Sequence, residues 1–544
     1  MKAISQFFLA LAALAAPPKT DSIYPVSGRP GTEFDAQIRG TNLREAYAVW
    51  FETPGASAEI ARVETDSTRK NAEILHVRLK LDSTFQRGTF RIVGPNGLSN
   101  ALPIASHAEP TIPEAAGARD LPALAQRIES LPAAIQGRIG ESGEVDYYAI
   151  RVQAGETWTF ETIASEALDA AISIYKPGGS WFDPDRPKRI AFSDEPVSYP
   201  DLTTEASLRH KFETAGEYFV RVNGFWGHGG AGQEYTLRIH KGEPAKPEKK
   251  TRWAERSWTR EVTPDRMTAL QARALPKKEK PIPIVDADAE PREVPVAPPA
   301  IPLPALVTGA IERPGDIDRV KFSVKEGDRL AFEIETPEKT LPLLNPYLRI
   351  VDADGVEAFT NIIANVNSNG NASKQIRPKT QYSFPRAGEF TLEIRDITAA
   401  YGDPSMRYKV LVRPQVPHMG EVKIAVDELN LEAGKAGKLS VITDQEEGFD
   451  GFVILSVEGL PEGVRATPGT EVEPDSPPQE SMAKRERFTT KSQKATLILF
   501  ADPAAASMKT PVVGRVFAQP VVKGKLGDRI FVKAIPIFVV KGAA

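Results

Sequence analysis

The hydrophobic residues of this chain alternate with polar residues over short runs, which is the pattern of half-buried β-strands. In the clearest run, four apolar residues alternate with His76, Arg78 and Lys80. These apolar residues are Leu75, Val77, Leu79 and Leu81. Runs of the same kind begin at Phe34, Tyr148, Val422 and Ile535. Turns that contain glycine or proline separate the runs, so the pattern predicts antiparallel β-sandwiches rather than helical domains.

One stretch of the chain occurs twice. GESGEVDYYAIRVQAGETWTFE starts at Gly140, and ERPGDIDRVKFSVKEGDRLAFE starts 172 positions later. The shared residues include Asp146 with Asp318 and Gly155 with Gly327, and we expect both glycines to lie between strands with positive φ. The same offset returns after a local insertion. This predicts two copies of one sandwich whose loops differ.

Length and composition fit several folded domains. The chain has 544 residues, too many for one core, and its 41% hydrophobic content is enough to give each domain a core. The 46 prolines favour linkers and loops over long helices, and a formal net charge of −4 gives no reason to expect a nucleic-acid partner. We predict an all-β fold, a chain of four β-sandwich domains joined by Pro-rich linkers. The predicted segments are sandwiches at 20–107, 134–240, 306–413 and 419–541, a connector at 108–133, and a basic, then Pro-rich linker at 241–305.

The first fifteen residues predict export. Lys2 precedes an apolar run from Ile4 to Leu14, and Ala13-Leu14-Ala15 offers a small-x-small cleavage pattern. We therefore expect residues 1–15 to be a signal peptide, no transmembrane segment in the mature chain, and a secreted, periplasmic or envelope-associated protein. The chain has no cysteine, which excludes disulfides and thiolate metal sites.

Several segments resemble known extracellular modules. Tyr24-Pro25, Gly40-Thr41-Asn42-Leu43 and Gly88-Thr89-Phe90-Arg91-Ile92 resemble an IPT/TIG immunoglobulin-like module. Leu460-Pro461-Glu462-Gly463-Val464 resembles a turn of bacterial immunoglobulin-like modules. The repeated unit resembles the bacterial pre-peptidase C-terminal (PPC) domain, and the residues that carry this are Gly137, Ile139, Asp146, Gly155, Gly216, Tyr218 and Tyr235, with Gly309, Ile311, Asp318, Gly327, Gly388, Phe390 and Tyr408. The resemblance implies a jelly-roll-like sandwich in each copy.

The PPC resemblance also implies a metal ion. Some members bind calcium between carboxylates near the linker and the strand edges, and calcium requires 6–8 oxygen ligands. In the first copy the candidate ligands are Asp146, Asp194, Glu195 and Asp201. The acidic linker signature is degraded here, since Thr111-Ile112 follows Glu109-Pro110. The alternative is that Asp146 and Asp318 are structural and accept backbone N–H bonds at the start of a strand.

No catalytic motif is present in the sequence. The six histidines are dispersed without HExxH spacing, and neither G-x-S-x-G nor a P-loop occurs. We therefore expect no enzyme activity. The candidate binding residues are Trp181, Phe182, Phe225 and Trp226, at one end of the first repeat, because exposed aromatic rings contact sugars or proteins. The alternative is that these rings plug the open end of the sandwich.

These observations predict an exported, non-catalytic binding or scaffold protein. Two similar weak sites on one chain would raise avidity for an extracellular polymer or a surface protein. The alternative is an accessory subunit that docks a separately encoded secreted hydrolase. Calcium is the only cofactor that the resemblance suggests.

Overall fold

The chain folds into β-sandwiches. The computed structural model describes residues 16–67, 69–178, 187–193, 205–243, 284–286, 298–336, 344–366, 372–472 and 491–542. Within these ranges the secondary structure is β-strand apart from one 3-10 helix at Pro122–Leu124, which confirms the predicted all-β class. No helix in the described ranges has the length and hydropathy to cross a membrane.

The first domain (residues 19–106) packs two sheets around one core. Its strands are β1 (Lys19–Tyr24), β2 (Ser27–Gly28), β3 (Glu33–Thr41), β4 (Ala48–Phe51), β5 (Ala56–Thr65), β6 (Glu73–Leu81), β7 (Arg87–Gly94), β8 (Gly97–Leu98) and β9 (Leu102–Ser106). The sheets have the orders β1-β3-β6-β5 and β2-β9-β7-β4, and β8 pairs with β7. Leu75 and Leu79 of β6 are buried while Arg78 is exposed, as the alternation predicts.

The second domain (residues 111–240) contains the first copy of the repeat. Its strands are β10 (Thr111–Pro113), β11 (Gln126–Arg127), β12 (Ala133–Arg138), β13 (Val145–Val152), β14 (Thr157–Ala164), β15 (Ala170–Lys176), β16 (Lys188–Ser193), β17 (Ser207–Lys211), β18 (Gly216–Gly224) and β19 (Glu234–His240). The sheet orders are β10-β12-β19-β14-β17 and β11-β13-β18-β15-β16. The connector before β12 therefore supplies one parallel edge strand to each sheet.

The third domain (residues 284–414) repeats this topology. Its strands are β20 (Ile284–Asp286), β21 (Ala305–Ala310), β22 (Asp318–Val324), β23 (Arg329–Glu335), β24 (Pro346–Asp352), β25 (Glu357–Thr360), β26 (Ile362–Val366), β27 (Ala372–Ile376), β28 (Lys379–Ser383), β29 (Gly388–Asp396) and β30 (Arg407–Pro414). The order β20-β21-β30-β23-β28 matches that of the first sheet of the second domain, and β22-β29-β24-β25 matches β13-β18-β15-β16 of the second sheet. Within the described residues no strand of the third domain corresponds to β11, and β26 and β27 form a separate hairpin. Gly155 and Gly327 have φ of +82° and +83°, so both copies use the same left-handed turn, as expected.

The fourth domain (residues 418–540) is another sandwich. Its strands are β31 (His418–Ile424), β32 (Leu429–Glu432), β33 (Ala436–Glu446), β34 (Phe452–Glu458), β35 (Val464–Val472), β36 (Lys491–Ala501), β37 (Val512–Val522), β38 (Lys525–Leu526) and β39 (Ile530–Val540). The sheets have the orders β31-β33-β36-β35 and β32-β39-β37-β34, with β38 paired to β37. One apolar core joins the two layers.

The first domain binds the fourth through a buried arginine. Arg91 is 2% exposed and donates hydrogen bonds to Glu428 Oε2 (2.7 Å) and to the carbonyl oxygen of Asp427 (2.8 Å). Asn430 pairs with both backbone groups of Leu98, accepting from its N–H (2.8 Å) and donating to its C=O (3.0 Å). Beside these bonds Leu98 packs in an apolar cluster with Phe538. The fourth domain, at the C-terminal end of the chain, thus packs against the first.

The first domain also binds the second. Ser27 Oγ donates to Thr236 Oγ1 (2.8 Å), and the guanidinium of Arg138 lies 3.6 Å from the centre of the Tyr24 ring. Contacts therefore join the second domain to the first and the first to the fourth. This arrangement is fixed by residues far apart in sequence.

Candidate functional site

Three aromatic side chains form an exposed surface at one end of the second domain. Phe225 and Trp226 follow directly after β18, and Phe192 lies on the edge strand β16. All three are exposed, and Trp226 most of all at 71%. We call Phe192, Phe225 and Trp226 the aromatic surface. Exposure of this kind is unusual for rings, which are mostly buried in folded domains.

The turn after β18 holds two of these rings outward. The Phe225 N–H donates to the carbonyl oxygen of Asp169 (2.7 Å), and the Gly227 N–H donates to that of Gly224 (2.9 Å). Gly227 has φ of +69°, a conformation that glycine adopts without strain. A Cβ at Gly224 would lie 2.2 Å from the His228 carbonyl oxygen, so only glycine fits there. The backbone conformation of this turn therefore depends on glycine at both positions.

The rings of the aromatic surface are not coplanar. The Phe225 and Trp226 centroids lie 4.8 Å apart with planes at 74°, and Phe192 lies 6.5 Å from Phe225 at 34°. The guanidinium of Arg189 lies 5.1 Å from the Phe192 ring centre and adds a positive charge beside the rings. The three rings form a corner with one cationic side.

The third domain makes the same turn without these rings. The Ile397 N–H, directly after β29, donates to the carbonyl oxygen of Asn345 (3.0 Å), as the Phe225 N–H does to that of Asp169. Ile397 and Thr398 stand where the second domain has Phe225 and Trp226. A turn with this backbone hydrogen bond thus forms in the third domain with non-aromatic residues at both positions.

The structure places two of the four predicted aromatic residues. Phe225 and Trp226 are both exposed. Trp181 and Phe182 lie outside the described residues. Sequence reasoning missed Phe192, because its nearness to Phe225 follows from β15 pairing with both β16 and β18.

Asp146, the one described member of the predicted calcium set, lies in a buried polar cluster. The Tyr235 hydroxyl donates to Asp146 Oδ2 (2.7 Å), and the Tyr148 hydroxyl lies 2.6 Å from that of Tyr235. Arg119 lies 3.3 Å from Asp146 Oδ1 and also pairs with Glu114. The cationic neighbour of Asp146 in this structure is thus an arginine. Asp194, Glu195 and Asp201 lie outside the described residues, so calcium binding stays a prediction.

Burial dominates the electrostatics of this cluster. It raises the pKa of Asp146 from 3.8 to about 6, although the Tyr235 hydrogen bond and the charge of Arg119 act in the opposite direction. Burial and the charge of Asp146 raise the pKa of Glu114 from 4.5 to about 7. Raised carboxyl pKa values often mark catalytic groups, but they also occur in structural networks.

The repeat explains the bond between Asp146 and Tyr235. In the third domain the Tyr408 hydroxyl donates to Asp318 Oδ2 (2.6 Å) in the same way. The aspartate lies in one sheet and the tyrosine in the other, so each bond ties the two layers of a sandwich together. Both aspartates thus accept a hydrogen bond from a side chain of the opposite sheet, whereas the structural alternative predicted a backbone N–H as the donor.

A second charged cluster lies between the third and fourth domains. His418, Glu446 and Glu447 place their ligand atoms within 4.8 Å of one another, as in a metal site. However, Lys379 Nζ lies 2.7 Å from Glu446, and Arg413 donates two hydrogen bonds of 2.7 Å to Glu447. Two cations already compensate these carboxylates. The cluster is therefore an ion-pair network that joins two domains.

Comparisons with known proteins give partial likenesses. No family model and no curated protein matches the chain. Among solved structures, the PPC domain of a collagenase from Bacillus anthracis matches at 14% identity over 21% of this chain and 93% of that one, with a TM-score of 0.16. A chain of the Dpr11 IG1–DIP-gamma IG+IG2 complex matches at 11% identity over 41% of this chain and 99% of that one, with a TM-score of 0.14.

 The adhesin domain of Epf from Streptococcus pyogenes matches at 11% identity over 42% of this chain and 73% of that one, with a TM-score of 0.13. The solved structures similar to parts of this chain thus include a PPC domain and immunoglobulin domains, and scores this low assign the chain to no family.

Proposed function

We propose that this protein is an exported, non-catalytic binding scaffold whose second domain binds a partner through the aromatic surface. The observation that carries the proposal is the difference between the two copies. Both make the turn that follows β18 or β29 with the same backbone hydrogen bond, but the second domain has Phe225 and Trp226 where the third has Ile397 and Thr398. Exposed rings that the fold does not need are best explained by contact with a partner.

The polar interior supports a non-catalytic role. Asp146 and Glu114 have the raised pKa values that an acid–base site would use. Yet Asp146 is buried and accepts a hydrogen bond from Tyr235, and the third domain repeats this bond at Asp318. A bond that holds two sheets together in both copies supports a structural role for these carboxyl groups.

The domain contacts support a scaffold. The Arg91 contacts join the first and fourth domains, and the Arg413–Glu447 ion pair joins the third and fourth. Buried and bidentate contacts restrict rotation between domains more than flexible linkers do. Such a frame would present the aromatic surface in a fixed direction.

The test is binding by the full mature chain with the rings removed. Phe225→Ala with Trp226→Ala should reduce pelleting with isolated cell envelopes or insoluble polysaccharide about tenfold or more, because aromatic anchors dominate binding surfaces. Tyr401→Ala is the matched control, since Tyr401 is 60% exposed in the corresponding loop of the third domain. Equal loss in both variants, or none in either, would contradict the proposal. Running each assay with calcium and with EDTA tests the predicted calcium site.

The geometry of the rings favours one second candidate, the accessory subunit that docks a secreted hydrolase. Sugars of an extended polymer stack on ring faces that share a plane, whereas Phe225 and Trp226 are inclined at 74°. A corner of this kind suits an apolar side chain of a protein partner. Co-purification with a hydrolase that is lost in the Trp226→Ala variant, together with no polymer binding, would favour this candidate.

A further inference from the structure

The fourth domain has an exposed apolar edge, far in sequence from the aromatic surface. β34 is the last strand of the sheet β32-β39-β37-β34, so within the described residues no strand pairs with the other side of its backbone. Val453 and Leu455 point into the core, while Phe452 is 67% exposed and Ile454 is 41% exposed. An edge strand with large apolar side chains is a template for pairing with another strand.

The apolar surface continues across the neighbouring strands. Phe452 pairs with Val521 of β37, and Val521 pairs with Leu526 of β38, which is also exposed. Directly paired residues point to the same face of a sheet. We call Phe452, Ile454, Val521 and Leu526 the apolar edge.

On the same face, the part of the sheet at Ser456 and Phe517 is covered by a side chain of the domain itself. The Arg529 guanidinium lies 3.9 Å from the Phe517 ring centre, donates to Ser456 Oγ (3.1 Å) and pairs with Glu458 (2.5 Å). This arginine shields one ring and neutralises the acidic end of β34. The apolar edge above it keeps its exposure.

The sequence of β34 is suited to pairing with itself. In an antiparallel pair centred on Val453, Phe452 lies opposite Ile454 of the second copy, and Asp450 lies opposite Ser456. No like charges then lie directly opposite each other. A register centred on Ile454 would instead place Asp450 opposite Glu458, which is repulsive.

We propose that two copies of this chain associate through antiparallel pairing of β34, in the register centred on Val453. A two-fold axis makes the contact self-complementary and joins two five-stranded sheets into one of ten strands. The apolar edges of both copies then meet across the axis and leave water. This interface is independent of the aromatic surface and would double the number of aromatic surfaces per particle.

Sedimentation velocity on the full mature chain tests the association. From about 1 to 100 µM the wild type should shift from monomer to dimer. Phe452→Lys with Ile454→Lys puts lysines opposite lysines in the proposed register and should weaken the dimer about tenfold or more. Val513→Lys is the matched control, since Val513 is 41% exposed on the same face, and it should leave the dimer intact. A wild type that stays monomeric throughout, or a dimer that the two lysines leave unchanged, would overturn the proposal.

Introduced cysteines test the register, because the natural chain has none. Phe452→Cys with Ile454→Cys should give a disulfide-linked dimer under mild oxidation, since the two positions face each other across the axis. Ile454→Cys alone should stay unlinked. Efficient linkage of the single variant would show the other register and refute the one proposed here.

Discussion

Glu447 is the central anion of the contact between the third and fourth domains. Its side chain is fully buried, with 0% exposure, and it accepts two hydrogen bonds of 2.7 Å from Arg413. Lys379 and the backbone N–H of Val416 also contact it. Glu447→Gln keeps the size of the side chain and removes its charge, so the variant isolates the electrostatic part of the contact.

The pKa gives the magnitude of the effect. Burial, the largest single influence, raises the pKa of Glu447, but Arg413 and Lys379 outweigh it and lower the value from 4.5 to about 2. At about 1.4 kcal/mol per pH unit, the ionised form stabilises the folded state by about 3 kcal/mol. This value agrees with the about 3–5 kcal/mol by which removing one partner of a buried ion pair destabilises a folded protein.

The sign of the pH dependence follows from the lowered pKa. A carboxyl with a lower pKa in the folded state stabilises that state fully above the unfolded value of 4.5, and the effect is lost as the pH falls to about 2. The deficit of Glu447→Gln should therefore be about 3 kcal/mol at pH 7 and shrink through this range.

Urea unfolding of the full chain measures the free energy, and hydrogen exchange of peptides that contain Val416 locates the change. Asp502→Asn is the control, because Asp502 forms an exposed pair with Arg465 and its loss should cost less than about 1 kcal/mol. A deficit for Glu447→Gln below about 1 kcal/mol at pH 7, or one that is equally large near pH 2, would refute the reasoning.

Three further predictions concern the other contacts. Tyr235→Phe removes the donor to Asp146 and should destabilise the second domain by about 1–2 kcal/mol, measured by calorimetry, whereas an unchanged transition would contradict the sheet-tying role. Asp146→Asn should reduce the loss of stability of this domain between pH 4 and 7, because the wild-type carboxyl, whose pKa burial raises to about 6, must ionise at a cost as the pH rises. Arg91→Met should loosen the first domain from the fourth and increase the radius of gyration in small-angle scattering; an unchanged radius would show that the apolar cluster suffices.

The sequence predicts the sandwiches because burial imposes a period of two on each strand. Leu75 and Leu79 face the core of the first domain, so alternation alone identifies β6. The constant offset of 172 residues likewise predicts two copies with one topology. Neither pattern could show that Asp146 contacts Tyr235, because Tyr235 is distant in sequence and lies in the opposite sheet.

The candidate binding residues were predicted only in part, because contacts between residues distant in sequence leave no local pattern. Aromatic composition and a glycine-rich loop indicated Phe225 and Trp226, which are neighbours in the chain. Phe192 joins them only through the pairing of three strands. The burial of Arg91 and Glu447 could not be predicted, since charged residues on strands and in turns are normally solvated, and here the burial comes from contact with another domain.

The contacts between domains do not follow the order of the domains in the chain. The contacts join the second domain to the first, the first to the fourth, and the fourth to the third. The second and third domains, neighbours in the chain, are thus attached to different partners. The buried Arg91 contact thus connects the pair formed by the first and second domains with the pair formed by the third and fourth.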